Sequence, residues 1–511
     1  MGIGSANPLL LASAASGGDS DPVTRSVRIQ SGAYHMLTKT FGSAPTSSKV
    51  STLAFWVKRS ELGDNQDIFS ASATSHSENT NTFYVRFKSD NTFRIASYPD
   101  PQNNVFSITT SRVFRDVSAW MHIAILIDTD ESTAADRLKI YFNGVREPDA
   151  NLSGTYPTSG ATNHLLGKAT TTSYEGTKNV QHCIGDEADR FRYRYEGYLA
   201  DLYFVDGSTI EPVNNFIQST GYGSYKPKAF DMSSYSGNSF HLKFEDNSDI
   251  GSDSTSNSND FSTSGISSHD VMLDTPTKNY ATMNPVSDVV VSGSNTFSEG
   301  NLTTDSSYTY NKIVSTIAVS SGKWYAEARF DDNGYQMVGI GRVDCLENTS
   351  TYIGGNGAFG YMLYKPHGDV YHNASGTSIW GALSTGDVIQ IALDLDNNKV
   401  WWGKNGTWNG TVGSSGETSI SAGEYYFAQS YRDKCTWNFG QDNTFRGQET
   451  GTPDNDEFLY EIPTGFKSLN ASNLDDPTVT PSEHFNTVLY NGSYDGYNEV
   501  GTDSQSITGV G

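Results

Sequence analysis

The residues best suited to binding chemistry lie where arginine and aromatic side chains alternate, in DRFRYRYEGY (189–198). This local group of cations stands out in a chain whose formal charge is −24. Planar guanidinium groups match anionic groups, and tyrosine is a common anchor of binding surfaces. We therefore predict contacts to an anionic sugar or a protein partner through Arg190, Arg192, Tyr193, Arg194 and Tyr195. The alternative is a strand whose aromatic side chains pack inward and whose arginines pair with acidic neighbours.

A second group of polar and aromatic side chains lies in YKPHGDVYHNASG (364–376), between two strand-like runs. Loops between strands often carry recognition residues. The binding candidates of this segment are Tyr364, Lys365, His367, Tyr371 and His372. The alternative is an ordinary solvent-exposed loop.

The tryptophans add a third candidate. Trp401 and Trp402 are adjacent in one strand-like run and should point to opposite faces. One should lie in the core, while the other could stack on a sugar ring or a neighbouring chain. Trp408 follows an Asn405-Gly406 turn, so we expect it to be exposed and available for binding.

Few residues support catalysis. A glycosidase needs two carboxylates that flank the scissile bond, but the nearest pair, Asp394 and Asp396, stands beside a tight turn. None of the ten histidines lies in a GxSxG or HExxH context, and no Ser-His-Asp set can be proposed. We predict that the chain is not an enzyme and has no catalytic residues.

Composition excludes several classes of protein. Lys plus Arg number 34 and Asp plus Glu 58, which argues against a nucleic-acid binder or a polybasic membrane-surface protein. Aromatic residues reach 12%, too many for a disordered chain. The longest nearly apolar run, 120–127, falls far short of the roughly 20 residues that span a bilayer, so we expect no membrane insertion.

Metal and cofactor signals are weak. The cysteines, Cys183, Cys345 and Cys435, are odd in number and lack CxxC spacing, so we expect three small buried side chains. No cofactor is predicted. The acidic segment FEDNSDIGSDSTSNSNDFSTSG (244–265) fits no EF-hand, and we interpret it as a solvated linker. Calcium held by its Asp and Asn oxygens is the alternative.

The elements that must position these residues are short strands. Alternating runs such as NTFYVRFKS (81–89) lie between turn signals, and no long segment has helical periodicity. We predict an all-β protein with two antiparallel, jelly-roll-like β-sandwich domains in tandem. The predicted divisions are an attachment arm (1–22), a first sandwich (23–228), a polar linker (229–282), a second sandwich (283–445) and a C-terminal extension (446–511), which could begin a further domain.

Several separated motifs resemble a SPRY domain. They are WYAE (324–327), VGIG (338–341), GDVIQIALDLDNNKVWWGKNGTW (386–408) and WNFG (437–440). Their order and spacing agree over about 160 residues. The resemblance implies a two-sheet sandwich that binds partners through loops at one end and is not an enzyme.

The first domain resembles the laminin-G/concanavalin-like sandwich. The matching segments are SVRIQSGAYHML (26–37), LAFWVKR (53–59), FRDVSAWMHIAILID (114–128), LKIYFNG (138–144) and GYLADLYFVDG (197–207). The order of the two domains, with NYATMNP between them, is similar to a family of virion proteins of marine tailed bacteriophages. The opening GSANPLLLASA and the late PTGFKSLNASNL match that family too, so the resemblance covers nearly the whole chain.

The resemblance implies a non-enzymatic virion structural protein. We expect a tail fibre or adhesin on the virion that contacts a host-surface glycan or protein through its sandwich loops. Its other expected partners are further virion proteins and itself, as a homotrimer. The residues expected to attach the N-terminal arm to the particle are Asn7, Leu9, Leu10 and Leu11.

Two other functions stay open. One is a capsid decoration, head-fibre or tail-stabilising protein with no host ligand. The other is a secreted glycan-binding or glycan-cleaving protein, since the Leu-rich N-terminus imitates a short signal peptide but lacks a preceding cation.

Overall fold

A computed structural model describes the protein. The described residues are 21–77, 80–99, 105–162, 164–173, 176–188, 192–220, 224–287, 295–307, 311–347, 351–357, 359–451 and 457–475. They form two β-sandwiches, with short 3₁₀ turns in place of long helices. The prediction of an all-β protein with tandem sandwiches is confirmed.

The first sandwich consists of two packed sheets and a small ribbon. Its strands are β1 (Ser26–Ile29), β2 (Met36–Thr40), β3 (Val50–Arg59), β4 (Gln66–Ser77), β5 (Thr80–Phe87), β6 (Thr92–Tyr98), β7 (Phe106–Val113), β8 (Met121–Asp128), β9 (Leu138–Phe142), β10 (Val145–Arg146), β11 (Leu152–Thr155), β12 (Thr170–Ser173), β13 (Gly176–Ile184), β14 (Gly197–Asp206), β15 (Ile217–Ser219), β16 (Tyr225–Pro227), β17 (Phe240–Leu242), β18 (Ser262–Ser264) and β19 (Val271–Met272). One sheet has the order β10-β9-β8-β3-β14-β1-β19, with β17 beside β14. The other has the order β11-β7-β6-β5-β4-β13-β2-β18, with β12 on β13, and β15 pairs with β16.

The period of two along each strand builds the core of this sandwich. Leu53, Phe55 and Val57 of β3 face the other sheet, while Trp56 lies on the outer face. That outer face is also buried, because the chain after β14 folds over it and packs Phe216 and other apolar side chains there. Burial on both faces explains why the central strands are almost continuously apolar.

The second sandwich follows the same plan. Its strands are β20 (Asn295–Ser298), β21 (Thr303–Ser306), β22 (Lys312–Val319), β23 (Lys323–Phe330), β24 (Met337–Arg342), β25 (Gly360–Tyr364), β26 (Asp369–His372), β27 (Ser375–Ser378), β28 (Val388–Asp394), β29 (Lys399–Lys404), β30 (Thr407–Trp408), β31 (Thr418–Ser419), β32 (Tyr425–Ser430), β33 (Cys435–Asn438) and β34 (Lys467–Ser468). One sheet has the order β20-β21-β33-β23-β28-β29-β30, with β31 on β29 and β34 parallel to β23. The other has the order β22-β32-β24-β25-β26-β27.

Short 3₁₀ helices occupy some of the connections. They are Ser31–Ala33, Ala134–Asp136, Asp149–Asn151, Ser268–Asp270, Pro285–Ser287, Val343–Leu346 and Ala471–Asn473. Among the described residues, no helix has the length and apolar character needed to cross a membrane. Cys183, Cys345 and Cys435 are buried and free, as predicted.

The predicted polar linker (229–282) is wrong. Strands β17, β18 and β19 lie in this range and pair with β14, β2 and β1 of the first sandwich. Phe244, Ile250 and Phe261 are buried in its core cluster. The polar residues between them fold the loop, since Asp253 accepts hydrogen bonds from backbone N–H groups of its own surroundings at 2.8–3.0 Å. The prediction failed because these three apolar residues are widely spaced in a segment that is otherwise polar.

The first part of the predicted C-terminal extension belongs to the second sandwich. We call residues 457–475 the C-terminal strap. Phe458 and Phe466 of the strap pack against Tyr325 and Trp401 on the outer face of the sheet that contains β23. The strap therefore buries a face that the sequence pattern alone leaves open to solvent. Residues 476–511 lie outside the described residues.

A buried charge cluster joins the two sandwiches. Arg28 of β1 lies 3.2 Å from Asp270, 3.1 Å from Glu299 and 3.0 Å from Asp442, and its side chain is 1% exposed. Burial lowers the pKa of Arg28, but the three carboxylates more than offset this and raise it above its ordinary value. Glu299 lies between β20 and β21, and Asp442 follows β33, so both belong to the second sandwich. This cluster therefore fixes the contact between the domains.

Candidate functional site

Three loops meet at one end of the first sandwich, where β1, β3 and β13 end. They bring Glu61, Asp64 and the segment 192–194 around an open cavity of about 430 Å³, and Tyr34 joins them by stacking on Arg194. We call this group the arginine–tyrosine loops. The meeting follows from the sheet order, which places β14, with the segment before it, between β1 and β3.

The arginines of these loops are bound to acidic neighbours. Arg192 Nε lies 3.3 Å from Glu187 Oε2, and Arg194 Nε lies 3.5 Å from Asp186 Oδ2. The guanidinium of Arg194 also stacks on the ring of Tyr34, at 3.7 Å from its centroid. Burial raises the pKa of Asp186 to about 7, although Arg194 lowers it. Each arginine thus already has a partner, as in the alternative interpretation of the sequence.

The tyrosines of the same segment pack against the sandwich. The ring of Tyr193 covers the guanidinium of Arg86 at 3.9 Å, and Arg86 is held by Asp67. Tyr195 is fully buried and its hydroxyl donates to the carbonyl oxygen of Lys58 at 2.8 Å. Tyr195 is therefore a core residue, which corrects its prediction as a binding residue. Arg190 lies outside the described residues, as do Asn7, Leu9, Leu10 and Leu11.

The second sandwich carries a surface built from tyrosines. We call it the tyrosine surface; its members are Tyr335, Tyr352, Tyr364, Tyr371 and Tyr431. Their ring centroids are 5.6 Å apart for Tyr364–Tyr371, 5.8 Å for Tyr364–Tyr431, 5.7 Å for Tyr352–Tyr431 and 6.2 Å for Tyr335–Tyr431. These separations are typical of interacting aromatic pairs. The surface is therefore one continuous patch.

Strand register places the tyrosine surface on the outer face of its sheet. Tyr371 of β26 pairs with Met362 of β25, so Tyr364 lies diagonally beside Tyr371 on the same face. Tyr335 enters from the segment before β24 and is 45% exposed. His367 lies against Tyr364 at 5.3 Å, and the guanidinium of Arg432 covers Tyr335 at 4.3 Å.

The centre of the tyrosine surface is held in an unusual backbone conformation. Tyr431 follows β32 with φ 68°, a region that bulky side chains rarely occupy. Asp433 fixes the turn, since its N–H donates to Ser306 O at 2.7 Å and its carboxylate accepts from Tyr335 N at 2.7 Å. Such conformations cost about 1–3 kcal/mol and persist where the surroundings hold them. The turn places the Tyr431 ring between Tyr335 and Tyr364.

Two other predicted binding residues have different surroundings. Lys365 is 1% exposed, with Nζ bonded to Asp332 O and Thr385 Oγ1, and burial lowers its pKa. His372 stacks on Tyr361 at 4.1 Å, on the face opposite to Tyr371. Alternation along β25 and β26 turns both side chains away from the tyrosine surface.

Trp408, predicted to be exposed, is half-buried. It packs against Tyr325 at a ring distance of 6.3 Å and against the C-terminal strap. Trp401 and Trp402 are both buried, because the strap covers the face that Trp401 occupies. The prediction that Trp408 is exposed is wrong because the strap covers this face of the sheet.

Tyr335, Tyr352 and Tyr431 were not among the predicted binding residues. Each is a single tyrosine in a loop outside 364–371, and the sheet order brings them together. Tyr335 and Tyr431 each stand in a short polar turn after a strand, which is a local signal for an exposed side chain.

The structure also brings together a serine, a histidine and an aspartate, which the sequence analysis could not propose. Ser254 Oγ lies 3.0 Å from His241 Nδ1, and His241 Nε2 lies 2.7 Å from Asp201 Oδ1. The hydroxyl lies equally close, 3.0 Å, to the carbonyl oxygen of His241. Asp201 has φ 51° and lies where the register of β14 shifts, between Ala200 and Tyr203. The hydrogen bonds from Asp201 through His241 to Ser254 connect this part of β14 to β17 and to the loop after β17. We assign it a structural role.

This assignment predicts that Ser254 is not a nucleophile. The Ser254 hydroxyl donates to the carbonyl oxygen of His241, which cannot act as a base, so its hydrogen is not committed to the imidazole. Treating the full chain with a fluorophosphonate should give no adduct by intact mass, while a known serine hydrolase in the same tube is labelled. An adduct on Ser254 that disappears in His241→Ala would contradict the assignment.

Comparison with known proteins bears on the first sandwich. Residues 31–179 match the Laminin_G_3 family, the concanavalin A-like lectin/glucanases superfamily. A laminin-G/concanavalin-like fold indicates a carbohydrate- or protein-binding domain. Among curated proteins, none matches the chain.

One solved structure similar to this chain is the SPRY domain of human HERC1. The two are 15% identical with a TM-score of 0.25, and the match covers 30% of this chain and 96% of that domain. The TRIM65 PSpry domain is 11% identical, with TM-score 0.24, and is matched over 31% of this chain and 91% of its own. A native heptameric SAP-like pentraxin from Limulus polyphemus is 15% identical, with TM-score 0.23, over 39% of this chain and 76% of its own.

Proposed function

We propose that this chain is a non-enzymatic virion protein of a tailed bacteriophage, a tail fibre or adhesin that binds a host-surface glycan through the tyrosine surface. The laminin-G/concanavalin-like fold of residues 31–179 supports a binding role. The phage origin rests on the sequence resemblance alone. The observation that carries the binding site is the tyrosine surface.

The tyrosine surface has the chemistry that a sugar requires. Aromatic rings pack against the apolar C–H face of a pyranose, while phenol hydroxyls bind its hydroxyl groups. His367, whose side chain is 60% exposed, adds a hydrogen-bonding group at the edge of the patch. Tyrosine loses little conformational entropy on binding, and the fixed turn at Tyr431 lowers that cost further.

The arginine–tyrosine loops are the weaker candidate. Arg192 and Arg194 pair with Glu187 and Asp186, so an anionic ligand would have to displace or share those partners. These loops are still a candidate binding surface because Tyr34, which stacks on Arg194, is 54% exposed. The two surfaces can be separated by mutation.

The remaining parts of the proposal concern the particle. Residues 1–22 would attach the chain to other virion proteins, and self-association into a trimer would give a fibre. Calcium in the acidic loops stays an untested alternative to a metal-free chain. A capsid decoration protein without a host ligand is the competing function, and it predicts that the tyrosine surface contacts another virion subunit.

Substitution within the tyrosine surface is expected to weaken glycan binding. The double variant Tyr335→Ala/Tyr371→Ala removes two rings of the patch and should weaken binding of host-surface polysaccharide by roughly tenfold or more, as at other aromatic anchors. Biolayer interferometry with immobilised polysaccharide and the full chain measures the affinity.

The matched control is Tyr34→Ala, which removes an even more exposed tyrosine from the first sandwich. It should change the affinity by less than about twofold. Loss of binding in Tyr34→Ala with none in the double variant would move the site to the arginine–tyrosine loops. Absence of binding by the wild-type chain would favour the decoration protein.

A further inference from the structure

We propose that a cavity beside the end of β3 in the first sandwich binds a small organic anion with an apolar body, of the aromatic carboxylate class. This site is separate from the tyrosine surface and does not depend on the proposed function. The cavity has a volume of about 490 Å³, within the range of small-molecule sites.

The walls of the cavity are mostly aromatic and aliphatic. Trp56, Trp120 and Phe142 line it, together with Val113 and Val145. The two valines are 44% and 60% exposed, which is uncommon for large apolar side chains beside one opening. An apolar ligand body would remove them from water.

Two buried N–H donors of the lining lack a protein acceptor. Trp56 and Arg59 are each 3% exposed, and neither Trp56 Nε1 nor Arg59 Nε has a hydrogen-bond partner in the part of the chain that the structure describes. Buried donors are normally paired, so orphaned ones need an explanation. Because both orphans are donors, the group that satisfies either must be an acceptor.

The charge of the lining favours an anion. Within the described residues, Arg59 forms no ion pair; its Nη atoms donate to Asn91 Oδ1, Phe114 O and Gln66 Oε1. Burial lowers the pKa of Arg59 to about 10, although electrostatic interactions with Tyr195 and Glu61 raise it. An uncompensated buried guanidinium is costly and is stabilised by a carboxylate.

Two further arginines line the cavity, against one acidic residue. Arg112 and Arg115 stand at the cavity, and Arg112 reaches Glu147 at 3.3 Å. The acidic side chain that lines the cavity, Asp116, already accepts from the N–H and hydroxyl of Ser118. The cavity is therefore a basic region in an acidic protein, with apolar walls that fit a flat ring.

The binding test uses the fluorescent anion anilinonaphthalene sulfonate with the folded full chain. Fluorescence should rise on binding, and benzoate should displace the dye at a concentration at least tenfold lower than benzyl alcohol, its neutral analogue. Equal displacement by both would overturn the role of the charge. Failure of the dye to bind would overturn the site.

Two variants locate the bound dye. Val145→Trp fills the mouth of the cavity and should weaken dye binding at least tenfold, whereas Val286→Trp, at a valine that is 62% exposed and does not line the cavity, should change it less than twofold. Arg59→Gln should remove the preference for benzoate over benzyl alcohol. If Arg59→Gln does not fold, the Val145→Trp result decides: unchanged dye binding in that variant overturns the proposal.

Discussion

Replacing Arg28 with methionine is expected to lower the free energy of unfolding by about 3–5 kcal/mol. The substitution keeps much of the side-chain volume but leaves Asp270, Glu299 and Asp442 buried together without their shared cation. Breaking a buried cluster by removing one partner is costly because uncompensated charge stays behind. Guanidinium denaturation of the full chain, followed by fluorescence, measures the change.

The control for this prediction is Lys49→Met. Lys49 pairs with Asp130 at 2.7 Å, but both side chains are substantially exposed, at 35% and 56%. Exposed pairs contribute about 0–1 kcal/mol, so the control should unfold close to the wild type. Similar losses in both variants would mean that the Arg28 cluster does not hold the two sandwiches together.

Replacing Glu327 with alanine is expected to destabilise the second sandwich by about 3–5 kcal/mol and to detach the C-terminal strap. Glu327 is fully buried and accepts from Tyr325 OH and from the backbone N–H groups of Leu459 and Tyr460, at 2.9–3.0 Å. The variant leaves these donors unpaired. Faster proteolysis within the strap and a red shift of tryptophan emission, as Trp401 becomes exposed, are the measurements.

A matched control for Glu327 is Glu417→Ala. Glu417 pairs with Lys399 at 2.7 Å, and among the described residues no hydrogen bond or ion pair joins its side chain to the strap. Its loss should leave proteolysis of the strap unchanged. Equal protection of the strap in Glu327→Ala and the wild type would show that Phe458 and Phe466 hold it without the carboxylate.

We also expect Glu327 to make the stability of the second sandwich depend on pH. Burial raises the pKa of Glu327 from 4.5 to about 7, so the folded state holds this proton more tightly than the unfolded state does. Its contribution to stability is present in full below about pH 4.5 and is lost as the pH rises to about 7. In Glu327→Gln the decline of stability over that interval should be smaller by roughly 3 kcal/mol. An identical decline in both proteins would contradict the raised pKa.

Strand patterns predicted most of the fold because they are local. The alternation in 81–89 gave β5, and the apolar run at 119–128 gave β8, buried on both faces. The Asn143-Gly144 pair has the positive φ angles, 47° and 75°, of a tight hairpin turn between β9 and β10. These features depend on residues close together in the chain.

What the sequence did not reveal depends on long-range packing. The segment 244–265 looks like a linker until β17 and β18 pair with distant strands. Lys365 lies in a segment predicted to bind a ligand, yet it follows β25 at a position whose side chain points inward. Its Nζ therefore donates to the carbonyl oxygen of Asp332. The tyrosine surface joins Tyr335, Tyr364 and Tyr431 across three neighbouring strands, which no local pattern predicts.

Electron microscopy of virions adsorbed to host cells, with a gold-labelled antibody against residues 23–445, tests whether the chain is a tail fibre or adhesin. A tail fibre or adhesin should carry gold where the tail touches the cell. Virions that carry the Tyr335→Ala/Tyr371→Ala variant should keep the gold on the tail but adsorb less. Gold over the head, or virions without gold, would show that the chain is not a tail fibre or adhesin.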